Sequence, residues 1–113
     1  MNQQEYVLNL CRSAKEASRV IGGTPAVKRD RILASVARGL RDNTEKLLSA
    51  NAVDLEAGRA SGLSSAMLDR LMLDKGRVEK IALAVEEIIA LPDPVGGVER
   101  MKLRPSGIRV GQM

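Results

Sequence analysis

Cys11 is the one thiol in this chain of 113 residues, which has no histidine at all. A cysteine nucleophile works as its thiolate and needs a base, a cation, a metal or a helix N-terminus to lower its pKa. None is in evidence around Cys11, which falls in the middle of a predicted helix on its apolar stripe. There a free thiol behaves as a small hydrophobe, and a packed core position is the expectation. A single cysteine also rules out an intramolecular disulfide or a cysteine-built metal site. The lack of histidine removes imidazole acid–base chemistry and the usual zinc ligands.

Two glycine pairs, Gly22-Gly23 and Gly96-Gly97, raise the question of phosphate loops. Neither has the strand–glycine–helix order of a dinucleotide fingerprint, nor the Lys-Ser/Thr of a nucleotide P-loop. Helix stop and turn are the simpler readings. Four further polar residues are not demanded by hydrophobic periodicity: Asn51, Asp54, Asp69 and Arg70. Asn51 and Asp54 stand three apart on one helix face, and Asp69 and Arg70 lie between Leu68 and Leu71. Capping and a local ion pair explain them, with substrate binding as the alternative.

Charge is uneven along the chain. Of the formal +4, a net +3 lies from Val98 onward, where Arg100, Lys102, Arg104 and Arg109 face only Glu99; the first 97 residues carry the remaining +1. This basic stretch can be read as a nucleic-acid contact, as an edge strand guarded by cations against aggregation, or as half of an intersubunit sheet. With Tyr6 the only aromatic, the chain offers no stacking platform for bases.

The elements that must position these residues follow from period and punctuation. Val7, Cys11, Ala14, Ser18 and Ile21 mark a first helix from about Gln3, ended by Gly22-Gly23. Thr24-Pro25 reads as the hydroxyl cap and first proline of a second helix, with Leu33, Val36, Ala37 and Leu40 as its buried stripe. Asn43 or Thr44 caps a third, whose apolar face is Leu48, Ala52 and Leu55. After Ser61-Gly62, Ser64 or Ser65 caps a short fourth, and Asp74 a fifth with Val78, Ile81, Val85 and Ile88 inward. Leu91-Pro92-Asp93-Pro94 stops it. Beyond Gly97 the period falls to two: Met101 and Leu103, then Ile108 and Val110, alternate with basic residues about Pro105-Ser106-Gly107, a β-hairpin. The fold class is therefore mainly α: about five amphipathic helices and a C-terminal hairpin. Built of Leu, Ile, Val, Ala and Met without large rings, such a core predicts marginal stability. The N-terminus has no signal-peptide pattern and no apolar run approaches the ~18–20 residues of a membrane span. A cytoplasmic protein is expected.

The polar residues singled out above also carry a family likeness. Asn51–Leu73, with its Gly62-Leu63-Ser64 and Ala66-Met67-Leu68-Asp69-Arg70-Leu71 runs, resembles the N-terminal region of the gamma-glutamyl phosphate reductase family. Leu91–Gly96 and Arg104–Ile108 are similar in the same order, and Asn51 with Asp54 resembles the related helix of the wider aldehyde dehydrogenase superfamily. The resemblance covers essentially the whole chain. It implies a fragment of an aldehyde-dehydrogenase-like α/β fold: residues 1–95 as the helical opening of the dinucleotide-binding domain, and 96–113 as strands of a homo-oligomerisation sheet. It also implies a parent enzyme of proline biosynthesis in which a cysteine attacks an acyl phosphate and NADPH reduces the thioester to glutamate 5-semialdehyde. Cys11 matches no catalytic motif of the family. The nucleophile and nucleotide-binding strands are expected beyond Met113, so no catalytic, cofactor-binding or metal residue is assigned and no bound cofactor is expected. The chain alone is then an inactive N-terminal part of the enzyme. The alternative is a self-standing helical interaction module whose basic hairpin binds an acidic partner. Nucleic acid and membrane are not favoured partners.

Overall fold

The computed structural model describes residues 2–113. Among them are five helices, α1 (Gln3–Gly22), α2 (Ala26–Asp42), α3 (Thr44–Ala60), α4 (Ser65–Leu71) and α5 (Lys75–Ile89), and two strands, β1 (Glu99–Leu103) and β2 (Arg109–Gln112). The mainly helical class with a terminal hairpin is as the sequence predicts. Two compact units divide the chain: Met1–Arg29 with Pro92–Met113, and Asp30–Leu91.

In the first unit, α1 opens with a capping box. The Asn2 side chain accepts from the Glu5 N–H at 2.8 Å, and the Glu5 carboxylate accepts from the Asn2 N–H at 3.1 Å. This pairing satisfies two N–H groups that a helix start leaves without partners. No residue of α1 is buried. Tyr6, Val7, Leu10 and Ile21 are all about half exposed, so the amphipathic stripe is present but is not buried among the described residues. Cys11 is exposed as well, which corrects the expectation of a packed thiol. Thr24 is another correction: its hydroxyl donates back to the Val20 carbonyl at 2.7 Å and closes α1. The carbonyl of Pro25 instead accepts the first α2 bonds, from the Lys28 and Arg29 N–H groups.

The hairpin pairs antiparallel, with Glu99 opposite Gln112, Lys102 opposite Val110 and Leu103 opposite Arg109. Its loop is a turn in which the Gly107 N–H donates to the Arg104 carbonyl at 2.9 Å, followed by the Arg104 N–H donating to the Ile108 carbonyl at 2.8 Å. Gly107 has φ +84°, as a type I turn closed by a left-handed residue requires. Between Glu99 and Lys102 the register slips at a bulge, where Arg100 takes φ +54°. Every strand residue is exposed.

The second unit holds the core, and that core is made of small side chains. Ala37 of α2, Gly58 of α3, and Val78 and Ala82 of α5 are buried, together with Asn51. α3 packs with α4 and α5. The inward faces differ from the predicted stripes in detail. Val36, Ala52, Ile81 and Ile88 are exposed, while Ala82, Glu86 and Ile89 take the inner side of α5 and Asn51 the inner side of α3. Helices α2 and α5 are apolar over a wider arc than this chain covers, so periodicity alone could select either side of it. Capping is as expected at α4 and α5, where the Ser64 hydroxyl and the Asp74 carboxylate accept from the N–H groups of Met67 and Arg77. It fails at α3: Asn43 donates to the Gly39 carbonyl, and Thr44 to those of Leu40 and Arg41. Both side chains finish α2 rather than begin α3.

Candidate functional site

Asn51 is the buried polar residue at the centre of the second unit, only 6% exposed. Its amide donates to the Leu71 carbonyl at 2.9 Å and its side-chain oxygen accepts from the Leu73 N–H at 2.8 Å. Leu71 ends α4 and Leu73 lies in the extended joint before α5. A helix end leaves carbonyls without intrahelical partners, and an extended joint has no ladder to satisfy its amides. One carboxamide supplies both missing bonds, as a neighbouring β-strand would. This is why a polar residue occupies an inward position of α3: a carboxamide carries a donor and an acceptor side by side without charge.

Arg77 fastens the same joint. Its guanidinium donates to the carbonyls of Asp69 and, at 2.8 Å, Met72, and pairs with the Asp69 carboxylate at 2.9 Å. The local ion pair expected at Asp69 therefore exists, but its cation is Arg77 and not Arg70. Arg70 and Asp54 are exposed, and neither joins Asn51 and Asp69 in a common site. Nothing in the sequence distinguishes Arg77 from the other surface arginines, because its use depends on the α4–α5 turn bringing it back over Asp69.

The helix–break–helix of the family-like segment rests on two glycines. Gly62 has φ +80° and ends α3 in a Schellman motif: the Gly62 N–H donates to the Arg59 carbonyl at 3.1 Å and the Leu63 N–H to that of Gly58 at 3.0 Å. Leu63 folds back over the helix, so that a Cβ on Gly58 would lie 2.9 Å from its Cδ1 and 3.2 Å from Leu68 Cδ2.

A third arrangement was not anticipated. Arg41, in the last turn of α2, reaches two carboxylates of α5: Glu79 at 2.8 Å, and Glu86 in a short contact. The guanidinium hydrogen bonds hold both carboxyls below their ordinary pKa and stabilise the Arg41 charge in return. Glu79 and Glu86 are seven residues apart, two turns on one face, a spacing that could have flagged them as a pair awaiting a cation. Beside them Arg41, Asp42, Thr44, Glu45, Lys75 and Glu79 line an open groove in which Lys75 and Glu45 pair at 3.2 Å. Both cations at that end, Arg41 and Lys75, are paired with carboxylates, which gives them a structural role.

No group of three or more potential metal ligands is present among the described residues. The glycine pairs do not form a phosphate cradle: Gly22-Gly23 lies at the C-terminus of α1, the negative end of its dipole, and Gly96-Gly97 lies in the turn before β1. A nicotinamide dinucleotide is not fitted by these residues. Arg100, Lys102, Arg104 and Arg109 are all exposed on the hairpin, and Arg100 reaches Gln112 across the strands at 3.4 Å.

No family model matches the chain. Curated relatives do. A gamma-glutamyl phosphate reductase of Thermodesulfovibrio yellowstonii is 38% identical over all 113 residues, and one of Moorella thermoacetica is 43% identical over the same span. In each case the chain spans 27% of the relative's length. The crystal structure of gamma-glutamyl phosphate reductase from Thermotoga maritima superposes with a TM-score of 0.83 at 29% identity, over 92% of this chain and 25% of that one. In sequence over its whole length, and in fold over 92% of it, the chain is similar to about a quarter of gamma-glutamyl phosphate reductase.

Proposed function

We propose that this chain serves as the helical N-terminal part of an NADPH-dependent reductase that converts L-glutamyl 5-phosphate to L-glutamate 5-semialdehyde in the cytoplasm, as a step of proline biosynthesis. The match along its whole length to reductases of that name carries the reading. Within such an enzyme its contribution is architectural. Asn51 and Arg77 lock the α4–α5 joint, Arg41 ties α2 to α5, and the uncovered apolar stripes of α1 and α5 provide surface for the remaining fold to pack against. On this reading hydride transfer and thioester chemistry fall to the remaining length of such an enzyme, of which the chain spans 27% in the relatives it matches.

A chimera tests this directly. Residues 1–113 replace the corresponding segment of the Moorella thermoacetica reductase, and semialdehyde-dependent formation of NADPH in the presence of phosphate is followed. Activity is expected in the chimera and none in the purified chain alone. A folded but inactive chimera, or turnover by the chain alone, overturns the assignment.

The hairpin supports a second element of the reading, self-association. A two-stranded sheet is marginal in water, and here both strands are open to solvent, so pairing with a second copy through 96–113 fits it best. Sedimentation equilibrium of the chain and of a version ending at Pro94 tests this: association lost with the hairpin supports it, and association retained refutes it. The exposed cations of the hairpin favour one other reading, docking of an acidic partner. That reading predicts steeply salt-dependent binding to a polyanion, and no binding at low salt removes it.

A further inference from the structure

We propose that Arg29 and Asp93 form a clasp that sets the launch of the hairpin, making Arg29 a positioning residue for strands that begin seventy residues further along the chain. The segment between α5 and β1, Pro92–Val98, has the composition of a loose linker, yet it is tied at several points. Asp93 holds two donors at once. Its Oδ2 accepts from the Arg29 Nη2 at 2.5 Å, and its Oδ1 accepts from the N–H of Val95 at 3.1 Å. The second bond folds the chain into a turn about Pro94; the first fastens that turn to the opening of α2. The Gly97 N–H adds a weak 3.4 Å bond to the Pro94 carbonyl, and Gly96 supplies φ +81°.

The Arg29 side chain is 15% exposed against 40% for Asp93. Its Nη1 is buried with no hydrogen-bond partner among the described residues. A guanidinium left free would turn that donor to water, because an unsatisfied buried donor is unfavourable. It stays because the carboxylate holds it, so the clasp works against a local cost. Such a contact is discrete, either closed or open, and its opening frees the carboxylate that also accepts from Val95 to move. Pro92 and Pro94 restrict the backbone on either side, which leaves few other conformations in which Asp93 could serve both donors.

The clasp stands on this geometry alone; its effect on pairing between copies rests on the hairpin reading above. The experiment uses the full chain and two readouts: amide exchange of Val95 by NMR, and self-association by sedimentation. Arg29→Gln is expected to speed Val95 exchange about fivefold, the size of effect that fits loss of a half-shielded ion pair, and to weaken association by a similar factor. Arg29→Lys, which keeps the charge with a single donor centre, is expected to fall between. Gly111→Ala serves as the control for the hairpin: a Cβ there overlaps Met101 and Val98, so association is lost while Val95 exchange stays as in the parent chain. Val95 exchange within twofold of the parent in Arg29→Gln overturns the clasp. Faster exchange with unchanged association overturns its role in positioning. A parent chain that never associates removes the hairpin reading and leaves the clasp to be decided by exchange alone.

Discussion

Replacing Asn51 with alanine removes one side chain and leaves two backbone groups unserved, the Leu71 carbonyl and the Leu73 N–H. Each bond contributes about 1 kcal/mol net, and a buried group left without a partner costs about 1–3 kcal/mol. The two sites are not equally shielded. Leu71 is 37% exposed, so water can reach its carbonyl and recover part of the loss, whereas Leu73 is half-buried. The cavity left by the carboxamide adds to the penalty. A loss of about 2–3 kcal/mol follows, a large share of the 5–15 kcal/mol that keeps a domain folded. Urea unfolding followed by circular dichroism at 222 nm, with amide exchange at Leu73 as the local probe, measures it. Asn51→Asp separates the bracket from simple packing. Its carboxylate can still accept from Leu73 but presents a second oxygen to the Leu71 carbonyl, so the charged form is penalised and its pKa in the folded state rises. A raised folded pKa gives stability that is present at low pH and is lost as pH climbs, so this variant approaches the parent in acid and falls away at neutrality. If Asn51→Ala unfolds within 0.5 kcal/mol of the parent, or Asn51→Asp shows no recovery in acid, the bracket is not what holds the joint.

Three other outcomes follow from the same structure. Glu79 and Glu86 have carboxyls lowered from 4.5 by Arg41; a depressed folded pKa contributes stability above the unfolded value that disappears as pH falls below it. The urea midpoint of the parent chain therefore drops between pH 5 and pH 3 more than that of Arg41→Gln, and equal drops would dismiss the triad. Gly62→Ala forces a Cβ onto φ +80° and costs about 1–2 kcal/mol by thermal or urea unfolding; no loss would mean that the Schellman end of α3 is not required. Cys11, being exposed, reacts with a maleimide in the native chain, one equivalent per chain and close to the rate in denaturant; protection of the thiol would restore the packed reading.

The fold was legible where the signal is local. Proline, glycine and capping residues placed the breaks between the helices, and alternation about Pro105-Ser106-Gly107 placed the hairpin. What was not legible depended on surroundings. Periodicity put Cys11 on a stripe and the stripe is real, but a stripe reports what a helix can bury and not whether a partner is present. On α5 the choice between Ile81–Ile88 and Ala82–Ile89 turned on one position of rotation, both being apolar. Asn51 was noticed because a polar residue broke an apolar rhythm; its bonds, twenty and twenty-two residues away, have no signature in spacing. Arg77 and Arg29 were missed for the same reason: a long cation can serve any carboxylate that folding brings near.

The small side chains at the centre of the second unit invert the usual map of mutational sensitivity. Where Ala37, Gly58 and Ala82 are buried with a single valine, those three positions leave little or nothing to remove. Growth is the hazard. Overpacking a buried position costs about 1–3 kcal/mol. Leucine at position 37 or 82, where alanine is fully enclosed, would have to displace its surroundings. Sequences drifting through this region are therefore confined by an upper bound on size more than by a lower one.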